Sequence, residues 1–99
     1  MPRPVALTEA EIADAVARIP EWSRDGLVLR RTIETKSFAD AISLIVRIGF
    51  LAEASDHHPD IDLRWRKVSI TLTTHDVGGI SILDFDLATA IDLAAAGAI

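Results

Sequence analysis

Apolar positions along this chain recur at two different spacings, and the switches between them mark out seven segments. In the first, Ile12, Val16 and Ile19 fall at helical spacing. Thr8-x-x-Glu11 ahead of them reads as a capping box, where hydroxyl and carboxylate satisfy backbone donors reciprocally, and Pro20 ends the helix. Trp22 to Arg24 and Leu27 to Thr35 then read as strands around Asp25-Gly26, a dipeptide suited to the positive φ angles of a two-residue hairpin turn. A second helix opens at Ser37, with Asp40 three residues on as a shorter box. Its stripe of Phe38, Ala41, Ile42, Ile45, Ile48 and Ala52 is widened by Leu44 and Leu51 beyond what a singly buried helix needs. Gly49 within it costs about 1 kcal/mol against Ala, tolerable where another element crosses closely.

The spacing then drops to two. Ile61, Leu63 and Trp65 alternate with Asp62, Arg64 and Arg66; Val68, Ile70 and Leu72 alternate with Ser69, Thr71 and Thr73. Strict alternation leaves one sheet face dry and one wet, so helices cover a single side. Gly78-Gly79 breaks the pattern. Ser81-x-x-Asp84 opens a last helix through Ala96, with Leu87, Ile91 and Ala95 inward. The expected fold is α+β: two layers in the order α-β-β-α-β-β-α, with helices on one face of a four-stranded antiparallel sheet, residues 1–99 forming a single domain.

Composition adds three constraints. An apolar fraction of 49% in 99 residues is high for so small a soluble body, which predicts that another subunit covers part of it. A net charge of −5 argues against sequence-independent binding to nucleic acid or an anionic membrane; Arg64, Arg66 and Lys67 read as a solvated strand face and turn. Without cysteine there is no disulfide or thiolate chemistry. Met1-Pro2-Arg3-Pro4 lacks the apolar run of a signal peptide, and the greasy stretch Ala41–Ala52 is too short to span a bilayer, so the expected location is the cytoplasm.

All three histidines fall in two short segments, Glu53-Ala54-Ser55-Asp56-His57-His58-Pro59 and Thr73-Thr74-His75-Asp76. Histidine gives and takes protons near neutral pH, and carboxylates are interleaved with it here. Glu53 and His57, four apart, share a helix face if the second helix reaches His57, and Pro59 stops that helix at or before His58. Both Glu53 and the negative end of the helix dipole favour a protonated ring at His57, suited to donate to a leaving hydroxyl. His58 points elsewhere and is available to orient a substrate. His75 ends the fourth strand and meets the helix end if that helix lies across the sheet. Asp84 either returns to fix the tautomer of His75 or is a helix-capping carboxylate three residues after Ser81. Adjacent histidines lack the one-face spacing of a helical metal motif, so no metal is expected. Trp22 and Trp65 read as core or sheet-edge aromatics, and no phosphate loop, dinucleotide fingerprint or nucleophile elbow is present.

Glu53-x-x-x-His57-His58-Pro59, Trp65 six residues on, His75 ten beyond that and the later Asp84 resemble the signature of the pterin-4a-carbinolamine dehydratases. Thr74-His75-Asp76, Gly79-Ile80-Ser81 and Asp84-Phe85-Asp86-Leu87-Ala88 look like the family too. The resemblance implies the same α-β-β-α-β-β-α fold and an enzyme, without metal or organic cofactor, that dehydrates 4a-hydroxytetrahydropterin to the quinonoid dihydropterin. That reaction regenerates the cofactor of aromatic amino acid hydroxylases. By this likeness His57 and His75 handle the proton at the 4a-hydroxyl and His58 contributes to binding and catalysis. Asp56, Thr73, Thr74 and Asp76 line the pterin, and Glu53 and Asp84 position the histidines. Homodimers or homotetramers are implied, and the alternative is a non-catalytic binding module, a dimerisation cofactor or assembly factor on the same fold. Ile82 and Leu83 depart from the charged residues common there in relatives, a difference expected to bear on assembly rather than chemistry. Loss of His57 or His75 is expected to leave stability nearly unchanged.

Overall fold

A computed structural model describes residues 4–98; the reading of the Met1-Pro2-Arg3 end as no leader lies outside them. The elements run α1 (Glu9–Ala17), β1 (Ser23–Asp25), β2 (Val28–Glu34), α2 (Phe38–Ser55), β3 (Asp60–Arg64), β4 (Lys67–Leu72) and α3 (Ile82–Ala95), with a short 3-10 turn at His75–Val77. The strands form one antiparallel sheet in the order β1-β2-β4-β3.

The caps explain where the helices start. Thr8 N–H donates to Glu11 Oε1 at 2.9 Å while Glu11 N–H donates to Thr8 Oγ1 at 3.2 Å, the reciprocal box that the spacing predicts. Ser37 caps α2 by accepting from Asp40 N–H, but Asp40 takes the Ser37 hydroxyl rather than its backbone N–H. The α1 end is tied to β1 by Arg24, whose guanidinium forks onto Glu9. That hydrogen bond, then the Arg24 charge, holds the Glu9 carboxyl below its usual range.

On the inner sheet face Leu29 and Ile33 of β2 and Val68, Ile70 and Leu72 of β4 are buried, and all three helices contribute to the same core. Each such aliphatic side chain stabilises the fold by roughly 1.5–3 kcal/mol when withdrawn from water. Leu87, Ile91 and Ala95 point inward as their spacing predicts. One polar cluster also faces the inner layer: Arg31 of β2 pairs with Asp92 of α3, which accepts from the Trp22 indole at 2.7 Å.

Several expectations are corrected. The first hairpin loop is Gly26-Leu27, with Asp25 paired to Val28, so the turn lies one residue later. Only Gly26 needs positive φ there (+59°). Trp65 does not belong to β3. Arg64 pairs with Lys67, and Trp65-Arg66 is a two-residue turn with Trp65 at φ +52°, its indole 68% exposed and stacked by Arg66. On α2 the core side is Ala41, Leu44, Ile48 and Ala52, with Ile45 and Leu51 beside it, while Phe38 and Ile42 face outward. A Cβ on Gly49 would meet nothing within 4 Å, so among the described residues no element crosses there.

Candidate active site

The pocket lies where the end of α2 meets the segment after β4. Its volume is about 700 Å³, and His57, His58 and His75 all line it, with Asp56, Thr73, Thr74 and Asp76. Each predicted substrate contact thus reaches one cavity. Its remaining wall comes from Pro4, Val5 and Leu7, from Ser55, and from Ile82 and Leu83. The N-terminal wall is held by an Ala6–Ser81 bridge and by Leu7 N–H donating to the Ile80 carbonyl at 3.0 Å. Nothing in residues 4–7 announces that role, because an isolated bridge carries no periodicity. Ile82 and Leu83 belong to the pocket mouth, which corrects the expectation that they bear only on assembly.

The end of α2 sets the histidines apart. The helix stops at Ser55, and Asp56 adopts the left-handed conformation (φ 50°, ψ 42°). His57 N–H then bonds the Ala52 carbonyl at 3.1 Å, closing the helix as a Schellman-type cap with Asp56 where glycine is usual. His57 is therefore outside the helix and does not share a face with Glu53. Glu53 Oε1 instead lies 2.7 Å from His58 Nε2, in a pair whose side chains are 78% and 57% exposed. The left-handed cap exchanges the partners by turning His57 inward and leaving His58 on the rim.

His57 is buried, and its Nε2 lies 2.6 Å from Oδ1 of Asp84, which is wholly enclosed. The carboxylate expected to orient His75 thus holds His57. Its capping role is also present: Ser81 N–H donates to Asp84 Oδ2 at 2.9 Å, and Leu83 N–H donates to the Ser81 hydroxyl. One carboxylate does both, with one oxygen for the helix start and the other for the imidazole. The Thr74 hydroxyl also donates to Oδ2, at 2.8 Å, so its side chain is engaged behind the pocket wall. Thr73 donates to the Leu27 carbonyl at 2.7 Å, anchoring the pocket to the first hairpin.

β4 ends at Leu72, and His75 opens the 3-10 turn instead of closing the strand. Thr74 and Gly79 pair across that turn, with Thr74 N–H donating to the Gly79 carbonyl at 2.8 Å. Gly78 takes the left-handed conformation that lets the loop close. His75 is left exposed at the pocket. Among the described residues no three His, Asp or Glu side chains converge as a metal would require.

One imidazole clamped by an enclosed carboxylate, with two more rings on the same cavity, can accept and donate protons at a molecule bound there. Fold and pocket together define a small α+β protein with three histidines on one cavity. Residues 5–94 match the model of the pterin 4 alpha carbinolamine dehydratases, and the chain belongs to that family. It is 52% identical over 86 residues to a protein of Roseiflexus sp. strain RS-1 named "Putative pterin-4-alpha-carbinolamine dehydratase", covering 87% of this chain and 92% of that one. A relative of the same name from Nocardia farcinica is 46% identical over 86 residues, covering 87% and 90%. Among solved structures, the transcriptional coactivator/pterin dehydratase of Brucella melitensis superposes with a TM-score of 0.87 at 28% identity, over 90% of this chain and 97% of that one. A pterin dehydratase-like RuBisCO assembly factor of the alpha-carboxysome shares the fold alone, with a TM-score of 0.64 at 20% identity over 75% of this chain and 86% of that one.

Proposed function

We propose that the protein is a hydro-lyase that dehydrates 4a-hydroxytetrahydropterin to the quinonoid dihydropterin. The observation that carries this reading is the convergence of three histidines on one cavity, with His57 clamped to the enclosed Asp84. The carbinolamine breaks its C4a–O bond as the hydroxyl takes a proton and leaves as water. A second group removes the proton of the adjacent ring N–H, and the C=N bond forms. No nucleophile and no redox partner is needed, and histidines sharing one cavity meet the requirement. Asp56 and Asp76, on the cavity wall, offer acceptors suited to the N–H and amino donors of a pterin. The reaction regenerates the tetrahydropterin consumed by aromatic amino acid hydroxylases, placing the protein in the cytoplasm beside such an enzyme.

The test couples the purified protein to a phenylalanine hydroxylase and follows the ultraviolet decay of the released 4a-hydroxypterin. Faster decay, abolished in His57→Ala, is expected. A folded protein that leaves the spontaneous rate unchanged would end this reading.

Self-association belongs to the same proposal. Phe38, Ile42, Val46 and Phe50 lie four residues apart on the outer side of α2, each at least 41% exposed. The partner that such a ridge fits is a second copy of itself, and the assembly is a homodimer or homotetramer. This exposed face also favours a second reading, a binding module. The solved relatives named as a coactivator and as an assembly factor carry such roles.

A further inference from the structure

At the back of the pocket wall, a chain of hydroxyls ends on Asp84. Its direction follows from counting protons. The one hydroxyl proton of Thr74 goes to Asp84 Oδ2 at 2.8 Å, so in the 2.7 Å contact between Thr74 and Ser81 the donor is Ser81. Ser81 Oγ in turn accepts Leu83 N–H at 3.2 Å, in the first turn of α3. With Oδ2 taken by the Thr74 hydroxyl and Ser81 N–H, Oδ1 is left as an acceptor for the ring. The hydrogen in the 2.6 Å contact therefore belongs to His57 Nε2. A neutral His57 then carries its lone pair on Nδ1. That atom has no hydrogen-bond partner among the described residues, and His57 lines the cavity.

We propose that Ser81 and Thr74 are positioning residues. Their two-hydroxyl relay, starting at the first turn of α3, locks Asp84 and fixes His57 as the Nε2–H tautomer with Nδ1 presented to the pocket. The inference rests on the acid–base reading above and names the atom that exchanges the proton with substrate. Thr74, expected among the pterin contacts, acts through Asp84 and His57. Every donor in the relay points toward the carboxylate, so neither side chain can turn without orphaning a buried group.

The tautomer is read directly by long-range proton–nitrogen NMR of the full chain at alkaline pH, where imidazole is neutral. The wild type is expected to show His57 as Nε2–H alone. Thr74→Val, close in shape but without the donor, is expected to give a mixture of tautomers. Its kcat should fall roughly ten-fold with KM little changed, the scale of one lost orienting hydrogen bond. Thr74→Ser restores both. A wild-type Nδ1–H ring, an unmoved tautomer in folded Thr74→Val, or no restoration by Thr74→Ser overturns the proposal. Should Thr74→Val not fold, Ser81→Ala breaks the relay one link earlier and carries the same expectation. A protein with the expected tautomer and no dehydratase activity sinks the reaction while the relay stands; an active protein with an unmoved tautomer does the reverse.

Discussion

At the scale of the residue, the proposed reaction gives His57 and His75 the same kind of chemistry in opposite surroundings, so their variants should separate. His57→Ala and His75→Ala are each expected to slow dehydration by roughly 10²-fold or more, as for a lost general acid or base, in the coupled hydroxylase assay. Thermal unfolding distinguishes them. His75 is exposed, and its removal should leave the melting temperature unchanged. His57 removal leaves an enclosed carboxylate oxygen without its partner, which costs about 1–3 kcal/mol, so a lowered melting temperature is expected for His57→Ala and not for His75→Ala. An unshifted melting curve for His57→Ala would show that Asp84 is satisfied without it. Glu53→Gln should change turnover less than about five-fold, because an exposed pair contributes 0–1 kcal/mol. These residues were all legible from the spacing of histidines and carboxylates, but their pairing was not. The partners exchanged because one residue, Asp56, takes a left-handed conformation that no periodicity signals, ending the helix two residues before His57.

At the scale of the element, what the sequence states most clearly is where a helix begins and which strand positions face inward. Thr8 with Glu11 and Ser81 with Asp84 form the boxes their spacing announces, because that signal is local and chemical. Thr8→Ala should accordingly cost about 1 kcal/mol in urea unfolding, without touching the pocket. The β3–β4 turn was hidden for the converse reason. Trp65-Arg66 carries no glycine, asparagine or proline, and the alternation runs through it as though the strand continued. Its left-handed Trp65 is a bulky residue where such backbone costs about 1–2 kcal/mol. Trp65→Asn relieves that strain and gives up only an exposed stack on Arg66. We expect it to stabilise the chain by about 0.5–1 kcal/mol, read as a rise in the urea midpoint at unchanged slope. A fall would mean that the indole makes a contact worth more than the strain, with something outside this chain.

At the scale of the whole molecule, the proposed self-association gives the surplus of apolar residues and the helical glycine one explanation. Within the chain, α2 spends Ala41, Leu44, Ile48 and Ala52 on the core and leaves Phe38, Ile42, Val46 and Phe50 in solvent. At 1.5 Å per residue those four make a ridge about 18 Å long. A ridge of period four packs into the matching groove of an identical helix, and a twofold axis brings the same patch to itself. Gly49 borders Phe50 and has open space where a Cβ would stand. No element among the described residues crosses there, so in the proposed dimer the close crossing that a mid-helix glycine tolerates falls to the partner. Phe50→Glu should therefore shift sedimentation toward the monomer while leaving the pocket intact, since Phe50 is not among the residues lining it. In that monomeric background Gly49→Ala should gain about 1 kcal/mol from helix propensity alone. In the wild type the same methyl should weaken association, because it occupies the space the crossing helix needs. A Gly49→Ala protein that sediments as the wild type does, with its full gain in stability, would place the interface elsewhere on the molecule.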